Sequence, residues 1–167
     1  GFQFEITGAT INSASGGASS VFTMTDTPFM IVGFGLFGET LPSTDNGLLV
    51  NLDISGLPGS EVCIVETILT APDGSELILS NSDCINIPAV PMDVSYDFDQ
   101  DVRGFQFIVN GVEIESVSGG AGEVYFDMVS ANSSLVVGIS FNNTPIPRGS
   151  GVLTTLMVTG DVSSSSL

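Results

Sequence analysis

An all-β fold, built as two tandem β-sandwiches of jelly-roll or immunoglobulin-like type, is what this sequence predicts. Three observations predict it: apolar side chains alternate along short segments, a long stretch of sequence occurs twice, and one hairpin closes on the only two cysteines of the chain. At 167 residues there is room for one large domain or two small ones, and a hydrophobic content of 43% argues against disorder.

The repeat sets the domain organisation. "GFQFEITGATINSASGGASSVF" in the first half corresponds to "GFQFIVNGVEIESVSGGAGEVY" in the second. Ile11 matches Ile114, the "SGGA" of Ser15 to Ala18 matches Ser118 to Ala121, and Val21-Phe22 matches Val124-Tyr125. Further on, Gly33 falls on Gly138, Pro42 on Pro147, Gly47 on Gly151, Leu52 on Leu156 and Gly56 on Gly160. Solenoid repeats run to about 20–50 residues, so the longer period here fits whole domains in tandem.

Each copy reads as strands. In "GFQFEIT", Phe2, Phe4 and Ile6 fall on one side and Gln3, Glu5 and Thr7 on the other. The segment "EVCIVETILTAPDGSELILSNSDC" contains Asp73-Gly74, the signature of a two-residue type I′ turn. Counting outward from that turn places Leu69 opposite Ile78, Ile68 opposite Leu79 and Cys63 opposite Cys84. A Cys63–Cys84 disulfide would contribute about 3 kcal/mol in the chain-entropy view and implies an oxidising, extracellular compartment; two buried free thiols are the alternative. "VPMDVSYDFDQDVR" reads as an opening strand plus a turn ahead of the second "GFQF". "SLVVGISF" puts Leu135, Val137, Ile139 and Phe141 on one face, and "VLTTLMVT" alternates more loosely. The "SGGA" stretches are read as sandwich turns, since no lysine follows to make a phosphate loop of them. No capped amphipathic helix is expected.

The expected domains are therefore residues 1–88, with the cysteine hairpin but no leading strand, and residues 89–160, with a leading strand but no closing hairpin. Residues 161–167, "DVSSSSL", read as a linker or tail. A sandwich open at one side exposes backbone and core, which proteins ordinarily avoid. Two explanations follow: the chain is a slice of a longer array of such domains, or neighbouring copies supply the strands each one lacks.

Charge and composition narrow the function. Nineteen acids face two bases, Arg103 and Arg148, with no lysine or histidine, for a net charge of −17. Such a chain repels a phosphate backbone, so nucleic acid is not expected as a partner. No apolar run approaches the roughly 20 residues that span a bilayer, and membrane insertion is not expected either. Without histidine or lysine there is no Ser-His-Asp triad, Schiff-base lysine or imidazole metal ligand. The acids lie in turns and at outward strand positions such as Glu113 and Glu115, so an enzyme is not expected.

Asp97, Asp99 and Asp101 alternate in "SYDFDQDVRG", a spacing that can offer several oxygens to calcium. The EF-hand glycine and glutamate are absent, and an acidic interdomain turn relieved by Arg103 is the plainer reading. No other cofactor is indicated. Asn132 in "NSS" and Asn142 in "NNT" are sequons that would accept N-glycans in a host with the machinery.

"DVRGFQFIVNG" followed by "GSGVLTTLMVTG", with the parallel "GFQFEITG" and "NGLLVNLDISG", resembles the cohesin-like β-sandwich domain. The resemblance implies a jelly-roll sandwich. In cohesins proper it implies binding of dockerin modules, and in related domains it implies repeats within large secreted or cell-surface proteins. The expected function is that of an extracellular structural protein, a subunit of a filament, fibre or sheath assembled head-to-tail from copies of itself. The alternative is a cohesin-type or adhesin module that recognises a dockerin or a carbohydrate.

Overall fold

The computed structural model describes residues 1–41, 47–77 and 84–166. It divides into a first unit, Gly1–Gly56 with Ser60–Ile87, and a second, Leu57–Gly59 with Pro88–Leu167. The fold is all-β and antiparallel.

The first unit runs β1 (Phe2–Thr7), β2 (Thr10–Ser15), a 3-10 turn (Gly17–Val21), β3 (Thr23–Asp26), β4 (Met30–Phe34), β5 (Asn51–Ser55), β6 (Glu61–Thr70), β7 (Glu76–Leu77) and β8 (Ile85–Asn86). One sheet has the order β3-β4-β1-β6-β7, with β8 also on β6, and the other pairs β2 with β5. Alternation buries Phe2, Phe4 and Ile6 of β1, which meet Ile11 of β2, Ile31 of β4 and Val62 of β6 in one apolar cluster.

The second unit runs β9 (Val90–Phe98), β10 (Gly104–Ile108), β11 (Val112–Ser118), α1 (Gly120–Tyr125), β12 (Met128–Ala131), β13 (Leu135–Ile139) and β14 (Gly149–Gly160). Its sheets are β10-β13-β12 and β11-β14-β9. Side chains from both sheets join in its core, among them Val136 of β13, Ile114 of β11, Val94 of β9 and Leu156 and Val158 of β14.

Two devices recur residue for residue. Phe2 stands opposite Gly33, and Phe105 opposite Gly138. A Cβ on either glycine would come within 2.3 Å or 2.4 Å of the facing ring, so the ring occupies the space of both side chains. Neither glycine has a positive φ; the ring, and not the backbone conformation, demands glycine. The second device is the double glycine of "SGGA". Gly17 and Gly120 have φ of 63° and 69°, and a Cβ on each would meet the carbonyl oxygen of Leu49 or Leu153 at 2.5 Å. That close approach starts a single helical turn in each unit, 3-10 in the first and the short α1 in the second. One turn is too short to show an amphipathic pattern, so these segments read as plain turns in the sequence.

Three details differ from expectation. The hairpin at Asp73-Gly74 is a three-residue loop, not a two-residue one: Ala71 N–H donates to Ser75 O, and Gly74, at φ 85°, takes the left-handed position that such loops reserve for glycine. Leu69 therefore faces Leu77 rather than Ile78. Ile78 and Leu79 lie outside the described residues. At the far end Val62 faces Ile85 and Glu61 faces Asn86, the pairing that brings Cys63 to Cys84. Second, in β13 the inward residues are Val136 and Gly138, while Leu135, Val137 and Ile139 line the outer face. Phe105 decides this, because only Gly138 leaves room for its ring. Phe141, past the strand, is 65% exposed. Third, the looser alternation of β14 is a bulge between Val152 and Thr154 that turns both Leu153 and Thr154 inward; the Thr154 hydroxyl donates to Ser118 O.

Gly33→Ala and Gly138→Ala should each destabilise their own unit by about 1–3 kcal/mol, the usual cost of overpacking. Shrinking the ring with Phe105→Leu should recover part of the Gly138→Ala loss in urea unfolding. At the hairpin, the Asp73 carboxylate accepts from the Ser75 hydroxyl at 2.6 Å and from its amide at 2.9 Å, and these bonds hold its pKa below the ordinary aspartate value. A depressed folded pKa means that the turn's contribution is full above the unfolded aspartate pKa and fades as pH falls through the folded one. Ser75→Ala should move the Asp73 titration back up, read by carboxyl-carbon NMR.

Candidate interaction edges

The units match strand for strand along the repeat, β1 with β10, β2 with β11, β3 with β12, β4 with β13 and β5 with β14. They differ in which positions are covered. In the first unit β6 lies along β1, with Phe2 opposite Leu69, Gln3 opposite Ile68 and Thr7 opposite Cys63. Among the described residues no such strand lies along β10. In the second unit β9 lies along β14, from Gly149–Phe98 to Val158–Val90. Among the described residues no such strand lies along β5.

Burial follows coverage, not composition. Phe2 and Phe4, beside β6, are 3% and 4% exposed, whereas their counterparts Phe105 and Phe107 are only half-buried. Leu156 and Val158, beside β9, are fully buried, whereas Leu52 and Ile54 of β5 are half-buried. Finishing the burial of one such side chain contributes about 1 kcal/mol, half the usual value for a whole one.

Among the described residues, two of the edges bare in both units carry features that β10 lacks. β2 and β11 carry bulges at Ile11/Ser13 and Ile114/Ser116, and β11 adds Glu113 and Glu115. β10, "GFQFI", has no bulge, charge or proline, and its pairing with β13 is unbroken.

Cys63 and Cys84 are joined in a disulfide, which ties β6 to the segment that returns along it. Glu66, at φ 50°, marks the bulge by which β6 shifts one residue against β1. Asp97 lies on β9 opposite Ser150, Asp99 is exposed just beyond the strand, and the Asp101 carboxylate accepts from the Arg148 amide at 3.0 Å. The three are not gathered. Among the described residues the one group with ligand atoms within 4.8 Å of one another is Glu61, Cys63 and Cys84, whose sulfurs are already bonded to each other.

Asn132 and Asn142 are exposed and engaged. The Asn132 side-chain oxygen accepts from the amides of Ser134 and Leu135 in the β12–β13 turn. Asn142 donates to Asp127, whose carboxylate also accepts from the Phe141 amide at 2.7 Å. The tail is not a free end: Asp161 accepts from Ser163, and Ser166 exchanges two backbone bonds with Asn110.

Among the described residues, a concavity in each unit offers a carboxylate that is already engaged. In the first unit a cleft of about 180 Å³ contains Glu39, whose carboxylate accepts from the Phe37 amide, and this bond lowers its pKa. In the second unit a cleft of about 320 Å³ contains Glu123, which accepts from the Gly119 amide, and Asp127. Among the described residues no helix is long and apolar enough to cross a membrane. No protein family, curated protein or solved structure matches this chain.

Sequence reasoning missed the tail's pairing to Asn110, just past β10, because "DVSSSSL" has no apolar alternation to mark it. Reducing the disulfide, or replacing Cys63 and Cys84 by serine, should cost the first unit about 3 kcal/mol. Hydrogen exchange should then speed up at the amides of Ile6 and Val62 and stay unchanged at Val136 and Leu156.

Proposed function

We propose that this is an extracellular, non-catalytic structural protein, one stretch of a filament, fibre or sheath whose β-sandwich repeats are completed by neighbouring copies of the same repeat. One observation carries the reading: among the described residues, each unit leaves bare an edge that the other unit covers, and the core residues behind those edges are half-buried. An edge left so is a template for strand addition. Because the edge left bare in one unit, β10, and the edge left bare in the other, β5, are different strands, the contact is heterologous, the kind that can extend into a filament.

Strand counting constrains the source of completion. β6 and β9 are both engaged within their own chain, so swapping them between two identical chains leaves as many bare edges as before. A net gain needs the strand of an additional repeat. The disulfide supports an oxidising, extracellular location. The absence of lysine and histidine from the sequence supports a role without side-chain nucleophilic or imidazole chemistry. The cohesin-like resemblance rests on the "GFQF" and "GSGVLTTLMVTG" motifs and favours, as a second reading, capture of a dockerin or a carbohydrate. Calcium at Asp97, Asp99 and Asp101 is not part of the proposal, because Asp101 is occupied by the Arg148 amide and the three stand apart.

Electron micrographs of the protein from its native source should show long assemblies with a regular repeat. A discrete 17.2 kDa monomer that captures a dockerin module or a glycan would support the second reading instead.

A further inference from the structure

The first unit shows what covers the position that β10 leaves bare. Building on the strand-completion reading, we propose that the free edge of β10 is a docking site for one kind of partner: a β6-type strand from a further copy of the repeat, running antiparallel to β10.

The register comes from the chain itself. On β1, Leu69 faces Phe2, Ile68 faces Gln3 and Val65 faces Glu5. Carried along the repeat, the docked strand places its Leu69 opposite Phe105, its Ile68 opposite Gln106 and its Val65 opposite Ile108. The bulge at its Glu66 falls between the last two pairs. This strand brings the side chains that, in the first unit, bury the counterparts of Phe105 and Phe107.

The polar groups are already aimed. The Ser140 amide donates to Arg103 O, and the Val109 amide donates to Ser134 O, so Arg103 and Val109 turn their backbone groups toward β13. Alternation then turns the N–H and C=O of Gln106 and Ile108 to the bare side. Asn110 continues that series. Its N–H donates to Ser166 O at 2.9 Å, and its C=O accepts from Ser166 N–H at 3.0 Å. In the first unit the matching residue, Thr7, faces Cys63, near the start of β6. Ser166 thus occupies the place beside Asn110, just past β10, that Cys63 occupies beside Thr7. One residue pair of such a strand is therefore in position, and among the described residues nothing covers the four backbone groups of Gln106 and Ile108 next to it.

The test uses the full chain, isotope-labelled, with a synthetic peptide of residues 64–72, which starts one residue past the place that Ser166 holds, as the probe. Saturating peptide should slow amide exchange at Gln106 and Ile108 about ten-fold or more and give nuclear Overhauser contacts between the Phe105 ring and peptide Leu69. A peptide with Leu69→Asp should lose both effects, with nothing in the chain altered. The chain variant Gln106→Pro keeps the β10–β13 ladder, since that N–H points away from β13, and should no longer bind. Unchanged exchange at Gln106 and Ile108, protection confined to β1 or β5, or equal binding by Gln106→Pro each overturns the proposal. Protection at β10 without long assemblies in native material would leave this assignment standing and remove the array reading. Long assemblies alongside a β10 edge that ignores the peptide would do the reverse.

Discussion

A phenylalanine ring set against a glycine of the next strand is the contact on which both units depend. Phe2 on Gly33 and Phe105 on Gly138 leave no room for a Cβ at the glycine. Slipping the pair by one residue would press the ring against Val32 or Phe34 in one unit, and against Val137 or Ile139 in the other. In a sheet a one-residue slip exchanges the two faces, so the same contact that fixes register also decides which side chains form the core. Phe4 and Ile6 follow Phe2 inward, and Val136 follows Gly138.

With the inner faces decided, the edges become the variable part. Two units share an order of elements and much of their sequence, yet the "GFQF" phenylalanines are buried in one and half-exposed in the other. No difference within "GFQF" accounts for this. The difference is a neighbouring strand: β6 covers β1, and β9 covers β14. Backbone polarity and apolar burial point the same way at each bare position, because an added strand would pair the open N–H and C=O groups and close over the half-exposed side chains at once. The acidic surface fits this arrangement. A charge of −17 spread over the chain keeps it dispersed, while β10 itself carries no charge to repel a partner.

Much of this was legible in the letters. The two-residue alternation of "GFQFEIT" identifies a half-buried strand because strand side chains must alternate. The repeat aligns Gly33 with Gly138 and Leu52 with Leu156, and those residues take matching places in their units. The cysteines could be paired by counting along a hairpin, and the count survives although the turn has three residues instead of two. It survives because the β6–β8 pairing, near the cysteines, keeps the expected register while the β6–β7 pairing, near the turn, is displaced by one.

What the amino-acid string determined alone is therefore what depends on near neighbours: strand identity, the duplicated order of elements and the facing cysteines. Tertiary structure decided the rest. Which face of "SLVVGISF" turns inward depends on a ring thirty-odd residues away on another strand. Whether "DVSSSSL" is a tail or the start of an edge pairing depends on Asn110 having an open backbone to offer. Whether Asp97, Asp99 and Asp101 form a cluster depends on where the turn after β9 carries each carboxylate, and Asp101 goes to an amide of Arg148. Periodicity records which residues share a side; it holds no information about what is packed against that side, because that partner comes from distant sequence.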